Sequence, residues 1–220
     1  MAEEGELPGL AEACRALADG RAVVVPNPSP MTYGVVATSP QAVNLLKGRP
    51  ADQHTAVSVH DAAEWQRIVA CLDVPPGVLR RIVVLLRQRL SLLVPLRDSG
   101  PRPDWIAPAV RDGYLAMFDG WWAPTARLWD AFPRLYGSSA NRTGRPPAAS
   151  AAEVDPAMLA AAQVVDGDAL REGEQVHAAS SMVRVARDGE LSLYRRGAQD
   201  AASGLDPDAY VRHLAALDLD

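Results

Sequence analysis

The chain has 220 residues, 48% of them hydrophobic and 22% charged, with a formal net charge of −5. That length suits one large domain with a buried core, and the composition is that of an ordinary globular protein. The acidic balance argues against a protein that coats nucleic acid by bulk electrostatics, while leaving room for a local basic cleft.

The first residues, Met1-Ala2-Glu3-Glu4-Gly5-Glu6, are acidic, and no apolar run of about 18 residues follows anywhere. Neither a secretory leader nor a membrane span is expected, and the chain reads as cytoplasmic. Leu7 to Asp19 places Leu10, Ala13, Cys14 and Leu17 on one helical face, with Gly20 where a C-cap would end it. Ala22-Val23-Val24-Val25 is an apolar, β-branched run stopped by Pro26, hence a buried strand. Asn27-Pro28-Ser29-Pro30 is a stiff loop, and Tyr33 to Ala37 resumes a strand. Ser39-Pro40 starts a helix that carries Val43, Leu45 and Leu46 up to Lys47. Thr55 to Val59 alternates as a strand, and Asp61 caps a helix over 62–72.

Gly77 to Arg89 reads as a helix and Leu90 to Leu96 as the strand after it. Residues 97–111 read as a loop, Tyr114 to Phe118 as a strand, and Trp121 to Ala131 as a helix. Ala151 to Ala162 is an Ala-rich helix candidate, and Val164-Val165 is a short strand entering the turn Asp166-Gly167-Asp168. Strands Met182–Ala186 and Leu191–Tyr194 flank Asp188-Gly189, a strong hairpin signal, and Asp208 to Leu217 closes as a helix. Strands alternating with helices, plus a hairpin, indicate an α/β domain with a twisted mixed sheet. Cys14 and Cys71 sit in helical segments, too few for a disulfide framework or metal cage, and are expected as buried thiols.

Two short motifs carry chemistry. Lys47-Gly48-Arg49-Pro50 is a compact pair of cations closed by a proline; Ser138-Ser139-Ala140-Asn141, followed by Gly144 and Pro146-Pro147, displays hydroxyls and an amide on stiff backbone. Phosphate recognition uses both kinds of group, fixed donors and offsetting cations. Each motif also has a plain reading. Lys47 and Arg49 suit a basic helix C-terminus, and Ser139 and Asn141 are ordinary turn residues. His60, His177 and His213 lack metal-ligand spacing.

In this order the motifs resemble the YrdC-like family, the threonylcarbamoyl-adenylate synthases, with their Lys-x-Arg and later Ser-x-Asn. Val23-Val24-Val25 and Tyr33-Gly34 match the family's opening strand and loop, Ala179-Ser180-Ser181-Met182-Val183 its late strand entry, and Tyr194-Arg195-Arg196-Gly197 its ending. The resemblance implies a single YrdC-like α/β domain over 1–198, helices flanking the sheet around a concave ligand cleft, and a C-terminal tail and helix, 199–220, packed on it. It implies ATP as substrate with magnesium, no tightly bound metal or organic cofactor, and a nucleotide site of Tyr33, Lys47, Arg49, Ser139, Asn141, Ser180 and Arg195. Lys47 and Arg49 would be the catalytic cations. Ser29, Thr32 and His54 would face the second substrate.

The family condenses L-threonine, bicarbonate and ATP into threonylcarbamoyl-AMP and pyrophosphate for tRNA modification. Here Ser29-Pro30-Met31 replaces its Thr-Asp-Thr loop, Gln53-His54 replaces a Lys-Pro pair, and Leu115-Ala116-Met117-Phe118 lacks its carboxylate-binding Arg. Arg87-Gln88-Arg89 stands where a Trp-Pro-Gly-Pro turn is expected. The resemblance thus implies either an enzyme with an altered acceptor or a non-catalytic module that binds nucleotide or double-stranded RNA. Arg97, Arg102 and Arg111 are the loop cations available to replace the missing one. The oligomeric state is open.

Overall fold

The computed structural model describes residues 7–173 and 176–219; the acidic start lies outside them. Among these residues ten strands form one mixed sheet. They are β1 (Val23–Val25), β2 (Gly34–Ala37), β3 (Ala56–Ser58), β4 (Ser91–Pro95), β5 (Val110–Arg111), β6 (Tyr114–Phe118), β7 (Tyr136–Ser139), β8 (Gln163–Val164), β9 (Met182–Val185) and β10 (Leu191–Arg195). Their order is β10-β9-β4-β6-β3-β7-β2-β1-β8, with β5 paired to β6. The pairs β1–β8, β3–β6 and β4–β9 are parallel and the others antiparallel.

Eight helices flank it among the described residues: α1 (Leu10–Ala18), α2 (Pro40–Leu46), α3 (Ala62–Val69), α4 (Pro76–Arg87), α5 (Ala126–Ala131), α6 (Pro156–Ala161), α7 (Ala198–Ser203) and α8 (Pro207–Ala215). The starts follow local chemistry. Ser39 Oγ accepts from Ala42 N at 3.2 Å, and Asp61 Oδ1 from Glu64 N at 2.8 Å, each satisfying a first-turn donor that the helix leaves free.

The two faces of the sheet are used differently. Strand alternation sends Val57, Leu92, Val94, Leu115, Met117, Val183 and Val185 to one face, where they form the main core with Ile68, Ile82 and Leu85 of α3 and α4. Tyr210 and Leu214 of α8 join that core. On the other face, α1 and α5 cover only the β1–β2 end, through Leu10, Leu17, Val23, Val25, Leu128 and Trp129. The remaining stretch over β6, β4 and β9 is the floor of a cavity.

Several elements depart from expectation. Pro124 holds the start of the expected 121–131 helix to a 3-10 turn, Ala123–Thr125, so α5 is half as long. Pro156 likewise divides 151–162 into a 3-10 turn and α6, which restarts on the Asp155 cap. The 97–111 loop contains a 3-10 segment, Asp104–Ala109, and strand β5. Helix α7 was not expected. Cys71 is buried, but Cys14 is only half-buried. Among the described residues no helix is long and apolar enough to cross a membrane.

Candidate functional site

Helix α2 ends at Leu46, and Gly48, at φ +63°, turns the chain so that Lys47 and Arg49 leave it in different directions. The Lys47 side chain goes inward and is 3% exposed. Its Nζ donates to Asn141 O at 2.7 Å, to Asn141 Oδ1 at 2.9 Å and to Ser139 O. Ser139 Oγ donates to the same Asn141 Oδ1 at 2.6 Å. Residues nearly a hundred positions apart are thus locked into one cluster by a single ammonium using all three of its donors.

Burial, then Arg49 and Arg195, lower the Lys47 ammonium to about 7. The three oxygens act in the opposite sense, since only the charged form donates to all of them.

Arg49 turns to the cavity wall. Its Nε donates to Asn44 Oδ1 at 2.6 Å, while Asn44 Nδ2 donates to Ala51 O at 2.9 Å and Gln53 O at 2.8 Å. Asn44 is fully buried, so one amide fixes both the guanidinium and the loop beyond Pro50. An Asn within a short apolar helix is poorly suited to helix interiors, and that was its only signal in the sequence. Burial lowers the Arg49 guanidinium.

Across the floor, Ser180 Oγ lies 2.6 Å from Ser91 Oγ, and Arg195 Nη2 donates to Ser180 O at 2.9 Å. A β-bulge between Leu193 and Arg195 puts both Tyr194 and Arg195 on the cavity side, which plain alternation would forbid. Gly197 pins this end: a Cβ there would meet Ala179 O and Ser181 N at 2.4 Å.

Arg49, Ser139, Ser180, Arg195, Thr32 and His54 therefore line one cavity of about 340 Å³, with Lys47 and Asn141 behind its wall. Thr32 Oγ1 donates to Ala178 O at 3.1 Å, and the His54 carbonyl accepts from Arg49 Nη2 at 3.5 Å. Ser29 lies outside the lining. Tyr33 borders the cavity, but its ring is fully buried and its hydroxyl donates to Asp168 Oδ1 at 2.7 Å. Its hydroxyl is thus turned to Asp168 and not to the cavity, and burial raises its phenol. Of the loop cations, Arg111 lines the cavity, whereas Arg97 donates to Ala70 O at 3.0 Å and Arg102 to the Arg97 carbonyl.

Arg171 carried no signal in the sequence. Its side chain is 2% exposed, lies over the Tyr33 ring at 4.9 Å, and donates to Asn27 O at 2.8 Å, to Ala149 O at 2.5 Å and to Met31 O. It ties the first loop to the segment after the Ser-x-Asn turn.

In charge, the lining holds Arg49, Arg89, Arg111, Arg184 and Arg195 against Asp112 and Asp119. Five cations face two anions in a chain whose net charge is −5. Fold and cavity together define a mixed-sheet α/β protein with a cationic cavity of small-molecule size. The family model for Sua5, YciO and YrdC proteins, described as telomere recombination, matches residues 15–197. The chain belongs to this family.

No curated protein matches the chain. Solved structures of similar fold include P. abyssi Sua5 complexed with L-threonine, at 20% identity and TM-score 0.60, over 86% of this chain and 54% of that one. Full-length HypF in its phosphate- and nucleotide-bound form matches at 16% identity and TM-score 0.60, over 86% of this chain and 24% of that one. E. coli YciO matches at 11% identity and TM-score 0.56, over 86% and 88%. The chain spans about half the length of the Sua5 structures.

Proposed function

We propose that the cavity binds ATP, supplied as its magnesium complex, and that the protein forms a carbamoyl adenylate as the threonylcarbamoyl-adenylate synthases do, with an acceptor amine other than L-threonine. The observation that carries this reading is the excess of cations in the lining of an acidic chain, with Arg49 and Arg195 beside the Lys47 that joins the Lys-x-Arg and Ser-x-Asn motifs. The ligands named for the Sua5 and HypF structures, an amino acid and a nucleotide, support the same pairing of substrates.

In this chemistry the acceptor amine and bicarbonate give a carbamate with loss of water. A carbamate oxygen then attacks the α-phosphorus, the bond to the β-phosphate breaks, and pyrophosphate leaves. Arg49 and Arg195 would offset charge growing on the departing phosphates, and Lys47 would hold the Ser139–Asn141 turn against them. The amino-acid side differs: β6 presents Tyr114, Ala116 and Phe118 to the cavity and no cation. A threonine carboxylate over that strand would be left unpaired, at several kcal/mol.

The test is pyrophosphate release from ATP and bicarbonate across a panel of amino acids. Release is expected with an amine other than threonine. Robust threonine-dependent release overturns the acceptor reading, and ATP binding without release from any amine favours a non-catalytic module. A narrower check is Arg49→Ala, which should weaken ATP binding by about 1.5–3 kcal/mol in calorimetry, the range for hydrogen bonds to charged groups.

A further inference from the structure

The floor of the cavity holds a cation with no acceptor. On β9, Val183 and Val185 are fully buried in the core, so alternation forces Arg184 between them onto the cavity face. There its guanidinium lies over the Tyr114 ring at 4.6 Å, from the β6 side, and over the Tyr194 ring at 5.1 Å, from the β10 side. Tyr194 reaches it because the β10 bulge turns that residue to the same face. Among the described residues the Arg184 side chain makes no hydrogen bond and no ion pair, and its Nε is buried without a partner.

Such a guanidinium is held by two rings, and with Nε buried it is the terminal pair of Nη groups that is left for a ligand. A planar edge of parallel donors matches a two-oxygen anion held bidentately.

Sheet register gives the position meaning. Arg184 pairs with Leu93 of β4, and Leu93 pairs with Ala116 of β6, so the three form one row across the floor. Ala116 lies on the strand from which a family-type Arg is missing, and Arg184 sits two strands away, about 10 Å at ordinary strand spacing. We propose that Arg184, oriented by Tyr114 and Tyr194, is the carboxylate-binding residue for the acceptor, so that the acceptor is a small carboxylate-bearing amine anchored from β9 instead of β6. This rests on the proposed adenylate chemistry for its role, but not for the binding itself.

The experiment is calorimetry on the full chain with glycine, β-alanine, L-threonine and γ-aminobutyrate, each beside its carboxamide, with and without a non-hydrolysable ATP analogue. Inorganic phosphate is titrated separately. At least one carboxylate should bind, its carboxamide at least about 10-fold more weakly, and Arg184→Gln should weaken the carboxylate by about 10- to 150-fold. Arg184→Lys, which keeps the charge but not the fork, should recover only part of the loss, and the melting temperature of each variant reports its folding.

A carboxamide that binds as well as its acid, carboxylate binding indifferent to Arg184→Gln in a folded variant, or no carboxylate binding at all would overturn the proposal. Arg184-dependent binding of phosphate in place of carboxylate would overturn it too. Carboxylate binding through Arg184 without any ATP binding would sustain the subsite and remove the nucleotide reading, so the two fail separately.

Discussion

Arg171→Ala should lower folding stability by about 3–5 kcal/mol, read from urea unfolding as a fall in midpoint at unchanged slope. The ion pair with Asp168 contributes little to this: Oδ1 is 3.4 Å from Nη1 and the carboxylate side chain is 38% exposed. The cost comes from the carbonyls of Asn27, Met31 and Ala149, which share one guanidinium and would be left inside the protein without a donor. Loss of the stack on Tyr33 and the void left by the side chain add to it. Arg171→Lys should recover only a fraction, because one ammonium does not present the planar set of donors that reaches three separate segments. A variant with either substitution unfolding at the wild-type midpoint would show that water replaces the guanidinium at no cost.

Lys47→Met should weaken ATP binding by about 2–5 kcal/mol, some 30- to 4000-fold, the range for removing one partner of a buried charged contact. Methionine approximates the stem but supplies no donor for Ser139 O, Asn141 O or Asn141 Oδ1, so the turn that faces the cavity loses its tether.

The unmutated protein carries a second sign of the same residue. Burial and its cationic neighbours lower the ammonium to about 7, so above that pH a growing share is neutral in the free protein. A bound triphosphate offsets the repulsion of Arg49 and Arg195 and raises that pKa, so binding at pH 8 should take up a proton. Calorimetry in buffers of different ionisation enthalpy reads this directly, and uptake should vanish in Lys47→Met. Between about 7 and 10.5 the unfolded chain keeps a proton that the folded chain has lost, so this residue's contribution to stability rises with pH across that window.

Much of the sheet was legible because it is written in short-range signals. The run Val23–Val25, the turn pair Asp188-Gly189 and the alternation of Val183 and Val185 each state a strand without reference to anything distant. Two helices were overextended where a proline acts: Pro124 and Pro156 each restart a helix that composition alone extends. The motif residues were legible as residues and not as contacts. Nothing local says that Lys47 spends its donors on the Ser-x-Asn turn, or that the Tyr33 hydroxyl turns from the cavity to Asp168.

Arg171 left no mark in the sequence and Asn44 only a faint one, for the same reason. Most of their hydrogen-bond partners are backbone carbonyls, which have no sequence identity to match. Arg184 was half legible: an Arg alternating with core valines must face away from the core, while its neighbours across the floor follow only from the register.

The division of labour across the sheet bears on how such a protein changes. On β9, β4 and β6 the residues of the main core and those that face the cavity alternate along the same backbone, and on these three strands the two sets share no residue. Replacing Ala116, Met182 or Arg184 alters the cavity floor without removing a methyl group from the main core. A lineage can therefore shift a charge from one strand to another, and with it the molecule it accepts, without opening a void in the main core. Specificity in this architecture can drift one floor position at a time, with no intermediate that is less stable than its parent on account of core packing.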